Sequence, residues 1–321
     1  MGIYKISGKL TTQIDSISDI QTTQIDDIIV EGRSWPQPVA AAEEDTATFY
    51  GGRGVWGGGN SYSNIIDYVT IASPGNATDF GDLTVGREYS SACSNGTRGV
   101  WGGGSSNVID YVTIANNGVN ATDFGDLTSS QHSAAACSNG TRGVWSGQAN
   151  SNPIDYVTIA TTGDATDFGD LTVGRHYAAA CSNGTRGVWG GGYSGGAKKN
   201  TIDYVTIATT GNATDFGDLT STNSQLGACS DGIKGLWAGG YFFLTTIDYV
   251  TIASIGNATD FGDLSAGRHS PAGCSDGTKG LFGGGQWSQP IDSVTIASPG
   301  NASDFGDLTV ARYGPGACSG D

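Results

Sequence analysis

The chain repeats itself six times, and this constrains its fold more than any other feature. Arg-Gly-Val-Trp begins at Arg53, Arg98, Arg142 and Arg186, and returns as Lys234-Gly235-Leu236-Trp237 and Lys279-Gly280-Leu281-Phe282. Ile-Asp-Tyr-Val-Thr-Ile begins at Ile66, Ile109, Ile154, Ile202 and Ile247, with Ile-Asp-Ser-Val at Ile291. Asp-Phe-Gly-Asp-Leu begins at Asp79, Asp123, Asp167, Asp215, Asp260 and Asp304. One cysteine closes each unit: Cys93, Cys137, Cys181, Cys229, Cys274 and Cys318. The period is about 45 residues, the range of sheet-blade repeats. A unit this short cannot bury its own apolar face, so neighbours must stack. Glycine, 53 of 321 residues, has no collagen period and suits short strands joined by tight turns.

Each unit reads as four short strands. In the fourth unit the first strand is small and alternating, from Arg175 to Ser182. Asn183-Gly184 then predicts a hairpin whose two central residues both need positive φ; Asp231-Gly232 and Asp276-Gly277 replace it later. The second strand runs from Thr185 to about Gly190 and the third, rich in β-branched and aromatic residues, from Ile202 to Ala208. The fourth is short, around Asp215 to Leu219. No stretch of the repeat has helical periodicity. Four antiparallel strands per period are the pattern of a propeller blade. The expected fold is therefore an all-β, six-bladed propeller over residues 49–321, preceded by an arm over residues 1–48. Trp56, Trp101, Trp145, Trp189, Trp237 and Phe282, with the six cysteines, are its recurring structural positions. The last strand, Arg312 to Ser319, lacks a following partner, and Arg53 to Gly58 lacks a preceding one. The C-terminal strand is thus expected to close the ring, with Thr46-Ala47-Thr48-Phe49-Tyr50 as the rival.

With these motifs in phase, the repeat resembles kelch. Val188-Trp189-Gly190-Gly191 looks like the apolar strand ending in a glycine pair, Tyr204 like its tyrosine, and Phe216 stands where kelch usually has tryptophan. Arg175, after the last strand, also fits. The match covers about residues 50–321. The near-identity of the copies is similar to kelch-like virion proteins of tailed phages from aquatic hosts. That resemblance implies a structural or adhesion role in a phage-like virion assembled in the host cytoplasm.

The formal charge of −16 offers no basic footprint for nucleic acid. No run of 18 apolar residues is present, so no membrane span is expected, and Met1 to Ile6 lacks the apolar core of a cleaved signal. Three aspartates recur per unit, as Asp67, Asp79 and Asp82 do in the first. Asp79 and Asp82, three apart around a glycine, could begin a calcium site, although no longer calcium-loop spacing follows them. Asp79 is expected to accept turn N–H groups, and Asp67 or Asp82 to pair with Arg98 and its equivalents. Catalytic carboxylates need unlike environments, whereas six copies of one geometry argue for structure. The cysteines read as reduced and buried, since equivalent positions in a ring lie too far apart for disulfides. His132, His176 and His269 each precede a cysteine by five residues and read as solvated or edge-packed. The Asn-x-Thr strings read as turns. Ser275-Asp276-Gly277-Thr278 is similar to a sialidase Asp-box without its spacing, and no copper-oxidase set stands out. No catalytic residue, metal or cofactor is expected.

Almost all length variation falls between the second and third strands; the second unit has one further residue between its third and fourth. These loops carry Tyr62, Tyr193, Lys198, Lys199, Tyr241, Phe242, Phe243 and Trp287. Aromatics among Gly, Ser and Asn suit recognition. Residues 1–45 are too few for a core of their own and are expected to order on virion subunits, within a homo-oligomer or larger assembly. Pro36-Gln37-Pro38 and Ala40 to Asp45 read as a linker. The function expected is a non-enzymatic tail-fibre, appendage or capsid-decoration subunit contacting host glycan, host protein or other subunits. The alternative is a cellular or secreted binding module; a glycan hydrolase ranks third.

Overall fold

The structure is a computed structural model. It describes residues 50–148 and 151–320, and four short strands before them. The chain divides into two compact units, Met1–Thr46 and Ala47–Asp321. In the first, Tyr4–Ile6 pairs with Lys9–Thr11, and Ile28–Val30 with Arg33–Trp35, both antiparallel. The segment read as a linker, and residues 46–49 of the rival closing strand, lie outside the described residues.

The second unit is a six-bladed all-β propeller. Each blade is an antiparallel sheet whose strands follow one another outward from the axis, as in Ser90–Ser94, Arg98–Gly103, Ser106–Thr113 and Thr122–Gln131. In the first blade the innermost strand is Gly316–Gly320, paired with Arg53–Gly57 so that Cys318 lies opposite Val55. The C-terminal strand therefore closes the ring. Tyr193–Ser194 adds a short extra strand to the fourth blade.

Two strand boundaries differ from expectation. The innermost strand of the fourth blade begins at Ala179, because Arg175 turns to Asp203 and His176 and Tyr177 serve the axial mouth described below. The outer strand reaches ten residues in Thr122–Gln131, Thr214–Asn223 and Ser303–Arg312. In these blades the third strand starts early, and its first residues pair with the end of the fourth, as Ser106 does with Gln131. The hairpin turn also differs. Only glycine adopts positive φ, 86° at Gly96, and Asn95 N donates to Arg98 O, so Gly96 and Thr97 are the central pair. Asn95 instead accepts from Thr97 N at 3.0 Å and Arg98 N at 2.7 Å through its side chain.

No blade has a core of its own. One cluster joins Val55, Ile66, Phe80 and Leu83 of the first blade to Ala92, Trp101, Val112 and Ile114 of the second. The repeat motifs meet at these joints. A Cβ on Gly143 would lie 2.7 Å from Cys93 Sγ of the preceding blade and 2.6 Å from the Trp145 ring. The same relation links Cys318 to Gly99 and Cys274 to Gly54. The glycine in Arg-Gly-Val-Trp thus makes room for a neighbour's thiol. All six thiols are free and buried, and burial pushes their pKa values up. Each of the five repeat tryptophans donates Nε1–H to a carbonyl of the preceding blade, as Trp101 does to Gly316 O at 3.1 Å and Trp56 to Ala272 O at 3.2 Å.

The charged positions correct the sequence reading. Arg98 does not pair with the recurring aspartates. It donates to Ile159 O and Ala160 O of the next blade and lies over the Tyr111 ring. Lys234 does the same to Ile296 O and Ala297 O. Carbonyl oxygens need a donor and no bidentate fork, which explains why lysine serves here. Asp67 pairs instead with Arg312 of the preceding blade at 2.7 Å, Asp203 with Arg175 at 2.9 Å and Asp292 with Arg268 at 2.7 Å; Arg87 pairs likewise with Asp110. Nor does Asp79 take the turn amides. That role falls to an Asn or Asp one loop further on: Asp82 N donates to Asn120 Oδ1, and Asp126 N to Asp164 Oδ1.

Two joints lack the arginine. Gln131 Nε2 reaches Asp155 at 3.2 Å, while Asn223 turns to Gly239 O and leaves Asp248 with Thr220. Burial raises the Asp248 pKa. The folded state then holds more protons than the unfolded one from about pH 4 upward, so this group's contribution falls as pH rises to its folded pKa. Asp248→Asn is expected to flatten that slope and to cost under about 1 kcal/mol at pH 7. Urea titrations at pH 4, 5.5 and 7 check this; a steeper slope in the variant would contradict it.

Candidate functional site

The innermost strands wall an axial channel of about 160 Å³, lined by small residues such as Ala92, Ala136, Ala180 and Ala228. Interblade hydrogen bonds form a partial collar at each end. At one mouth the collar is made of hydroxyls. Ser94 Oγ donates to Ser319 O at 2.5 Å; Ser138 does so to Ser94 O, Ser182 to Ser138 O and Ser230 to Ser182 O, each at 2.6 Å. Tyr50 stands here, its OH 3.1 Å from Ser230 Oγ, and burial pushes the phenol pKa up.

At the other mouth the collar is made of backbone amides. Tyr89 N donates to Gly314 O at 2.7 Å, Gly314 N to Ser270 O at 3.2 Å, Ser270 N to Gln225 O at 2.7 Å and Gln225 N to Tyr177 O at 2.8 Å. The amides reach sideways because Tyr89, Tyr177, Gln225, Ser270 and Gly314 have φ between 56° and 62°. For the non-glycine residues that conformation costs roughly 1–2 kcal/mol each. Ser133 keeps an ordinary φ, and Ala134 N donates to Tyr89 O instead. The interblade bonds over-determine the strained conformation, as strained sites require.

This collar carries a continuous aromatic platform. Tyr89 touches Tyr177 and Tyr313, each at 5.1 Å between ring centroids. His176 lies 4.7 Å from Tyr177 and 5.6 Å from Tyr193; His269 lies 4.8 Å from Tyr313 and 4.9 Å from Phe243. Trp287 lies 5.6 Å from Tyr313, the planes 30° apart. His132 packs against Tyr89 and Tyr177. The three histidines, read as solvated or edge-packed, are thus built into the ring system. Burial lowers the His269 pKa, and burial with the nearby His132 lowers that of His176.

The sequence-selected loop residues fall into three groups. Tyr193, Phe243 and Trp287 join the platform, and Trp287 is 58% exposed. Tyr241 and Phe242 pack against each other with ring centroids 4.4 Å apart and planes tilted by 51°, with Lys198 over both rings. Lys199 is half-buried and its N–H donates to Gly192 O. Tyr62 is exposed in the first-blade loop and has no ring contact among the described residues. Sequence reasoning missed Tyr89, Tyr177 and Tyr313 as members. A signal was available: they stand four or five residues before a cysteine, where other units place Ser, Gln or His.

Among the described residues no cluster of three or more His, Cys, Asp or Glu side chains forms a metal site. No helix is long and apolar enough to cross a membrane. The chain matches no protein-family model, and no curated protein matches its sequence.

Proposed function

We propose that the protein is a non-enzymatic recognition subunit, in which a rigid propeller presents one aromatic face to a host-surface or subunit ligand and residues 1–48 provide attachment. The observation that carries this is the platform. The loops that vary most in length supply rings that merge with rings at the axis. Rigid aromatic anchors on one face are what binding hot spots use. The recurring buried aspartates are committed to interblade pairing, which favours a structural over a catalytic use. The kelch-like motifs and near-identical copies support a virion setting, as tail fibre, appendage or capsid decoration.

Two measurements test this. Mass spectrometry of purified particles is expected to find the chain; its absence there favours the cellular or secreted binding module. Binding of the full chain to host-envelope extract is expected to weaken at least about tenfold in Phe243→Ala and in Trp287→Ala, with Tm unchanged. Unchanged binding in both variants would contradict the loop face as the contact surface.

A further inference from the structure

We infer that the sixth blade binds a neutral aromatic ring, of a free phenol or of a partner's tyrosine, in a cleft beside Lys279 where the repeat pattern breaks. This goes beyond the recognition role proposed above and stands whether or not the platform binds a ligand.

Five blades share one arrangement and the sixth departs from it. The basic residue that opens the second strand lies over a tyrosine of the third strand in the first five blades. Arg53 lies over Tyr68, Arg98 over Tyr111, Arg142 over Tyr156, Arg186 over Tyr204 and Lys234 over Tyr249, each 4.7–5.5 Å from the ring centroid. The sixth blade keeps the register, with Lys279 opposite Thr295 and Leu281 opposite Ser293, but there a serine takes the tyrosine's position. Among the described residues Lys279 is the one recurring cation without a ring under it.

A cleft of about 420 Å³ opens at this place, lined by Lys279, Ser293, Thr295, Asn301 and Ser303 and by Pro74 of the first blade. The equivalent cleft of the fourth blade, about 390 Å³, is lined by Tyr204 and does not reach Arg186. Serine in place of tyrosine thus gives a ligand access to the cation. Lys279 Nζ donates to Ala72 O at 3.1 Å and Ile71 O at 3.5 Å, the carbonyl pair its counterparts use in their own joints. The ammonium is therefore held where, in the other blades, the cation meets a ring. It has three N–H donors, and these bonds use two.

Charge and shape narrow the class. A cation is attracted to the face of an aromatic ring, more strongly where both are partly desolvated. A carboxylate or phosphate would meet a single cation on a chain of net charge −16, beside Asp304. Lys279 opens a strand that starts next to Ser275, at the serine end of the axis, so the cleft faces away from the aromatic platform.

The test is amide NMR titration of the full chain with p-cresol, which is the tyrosine side chain as a free molecule, and with 4-methylcyclohexanol, its saturated counterpart. The phenol is expected to shift amides around Ser293 with a Kd on the order of 1–10 mM, as suits so few atoms, and the saturated ring to bind at least about threefold more weakly. Ser293→Tyr is expected to abolish the shifts and raise Tm by about 1–3 °C, because it supplies the ring from within. Tyr249→Ser is expected to create a second site beside Lys234, so that two p-cresol molecules bind per chain. Lys279→Met should weaken binding about fivefold, and Lys234→Met should leave it unchanged. N-acetyltyrosinamide separates the two sources. Shifts of the same amides with it assign the cleft to a partner's tyrosine; shifts with p-cresol alone assign it to a free phenol. No shift with either, equal binding of the saturated ring, or binding that survives Ser293→Tyr overturns the inference.

Discussion

A chain ending at Arg312 is expected to lose cooperative folding. The deleted segment holds the innermost strand of the first blade, and its loss acts at several levels. Arg53–Gly57 would become an open edge with unpaired N–H and C=O groups. Trp101 would lose its acceptor at Gly316 O, and Ser94 its acceptor at Ser319 O. The space under Gly99 filled by Cys318 Sγ would empty. Because each core cluster spans two blades, one incomplete blade weakens both adjacent joints. The amide collar also loses Gly314, which both accepts from Tyr89 and donates to Ser270. Near-UV circular dichroism and size exclusion should show lost tryptophan signals and aggregation. A chain starting at Ala47 should keep its near-UV signal and its melt. A soluble monomer with native near-UV signal after the C-terminal deletion would show that the closing strand is dispensable.

Arg312→Ala is expected to cost about 3–5 kcal/mol, the range for leaving one member of a buried ion pair without its partner. Arg312 is fully buried and pairs with Asp67 at 2.7 Å, and it also donates to Ile65 O at 2.8 Å. The protein contains its own control. The joint between the second and third blades uses Gln131 against Asp155 where this joint uses arginine. Arg312→Gln should therefore cost less than Arg312→Ala. Asp67→Asn added to Arg312→Ala should recover part of the loss, because it removes the stranded charge. Urea unfolding of the three variants decides this. A loss under about 1 kcal/mol in Arg312→Ala would mean that water reaches Asp67 and that the pair contributes little.

The fold was legible because the motifs recur in phase. The position of each cysteine, of each Arg-Gly-Val-Trp and of the unpartnered last strand was enough to place six blades and the ring closure. What stayed hidden were contacts between units. Asp67 and Arg98 lie 31 residues apart in the sequence and suggest an ion pair, yet the blade geometry brings Arg312 to Asp67 from the other end of the chain. The short hairpins Tyr4–Ile6/Lys9–Thr11 and Ile28–Val30/Arg33–Trp35 were passed over, although Ser7-Gly8 and Glu31-Gly32 are the turn signals between them. The loop aromatics were visible as a class. Their continuation into Tyr89, Tyr177 and Tyr313 was not, because it depends on a left-handed backbone at Tyr89, Tyr177 and Gly314, which tyrosine rarely adopts.

The closing strand also sets a clock. Arg53–Gly57 is made before its partner, Gly316–Gly320, by about 260 residues, which at 5–20 residues per second is roughly 13–50 s. Through that interval the first blade waits beside the ribosome with an unpaired edge. Nearly identical strands from later blades of the same chain, or of a neighbouring chain on the same message, compete for that edge. Sequence similarity between blades, which makes the finished joints uniform, therefore makes mispairing the main hazard of assembly. A high density of aspartate on the nascent chain is one physical restraint on it, since like-charged chains repel.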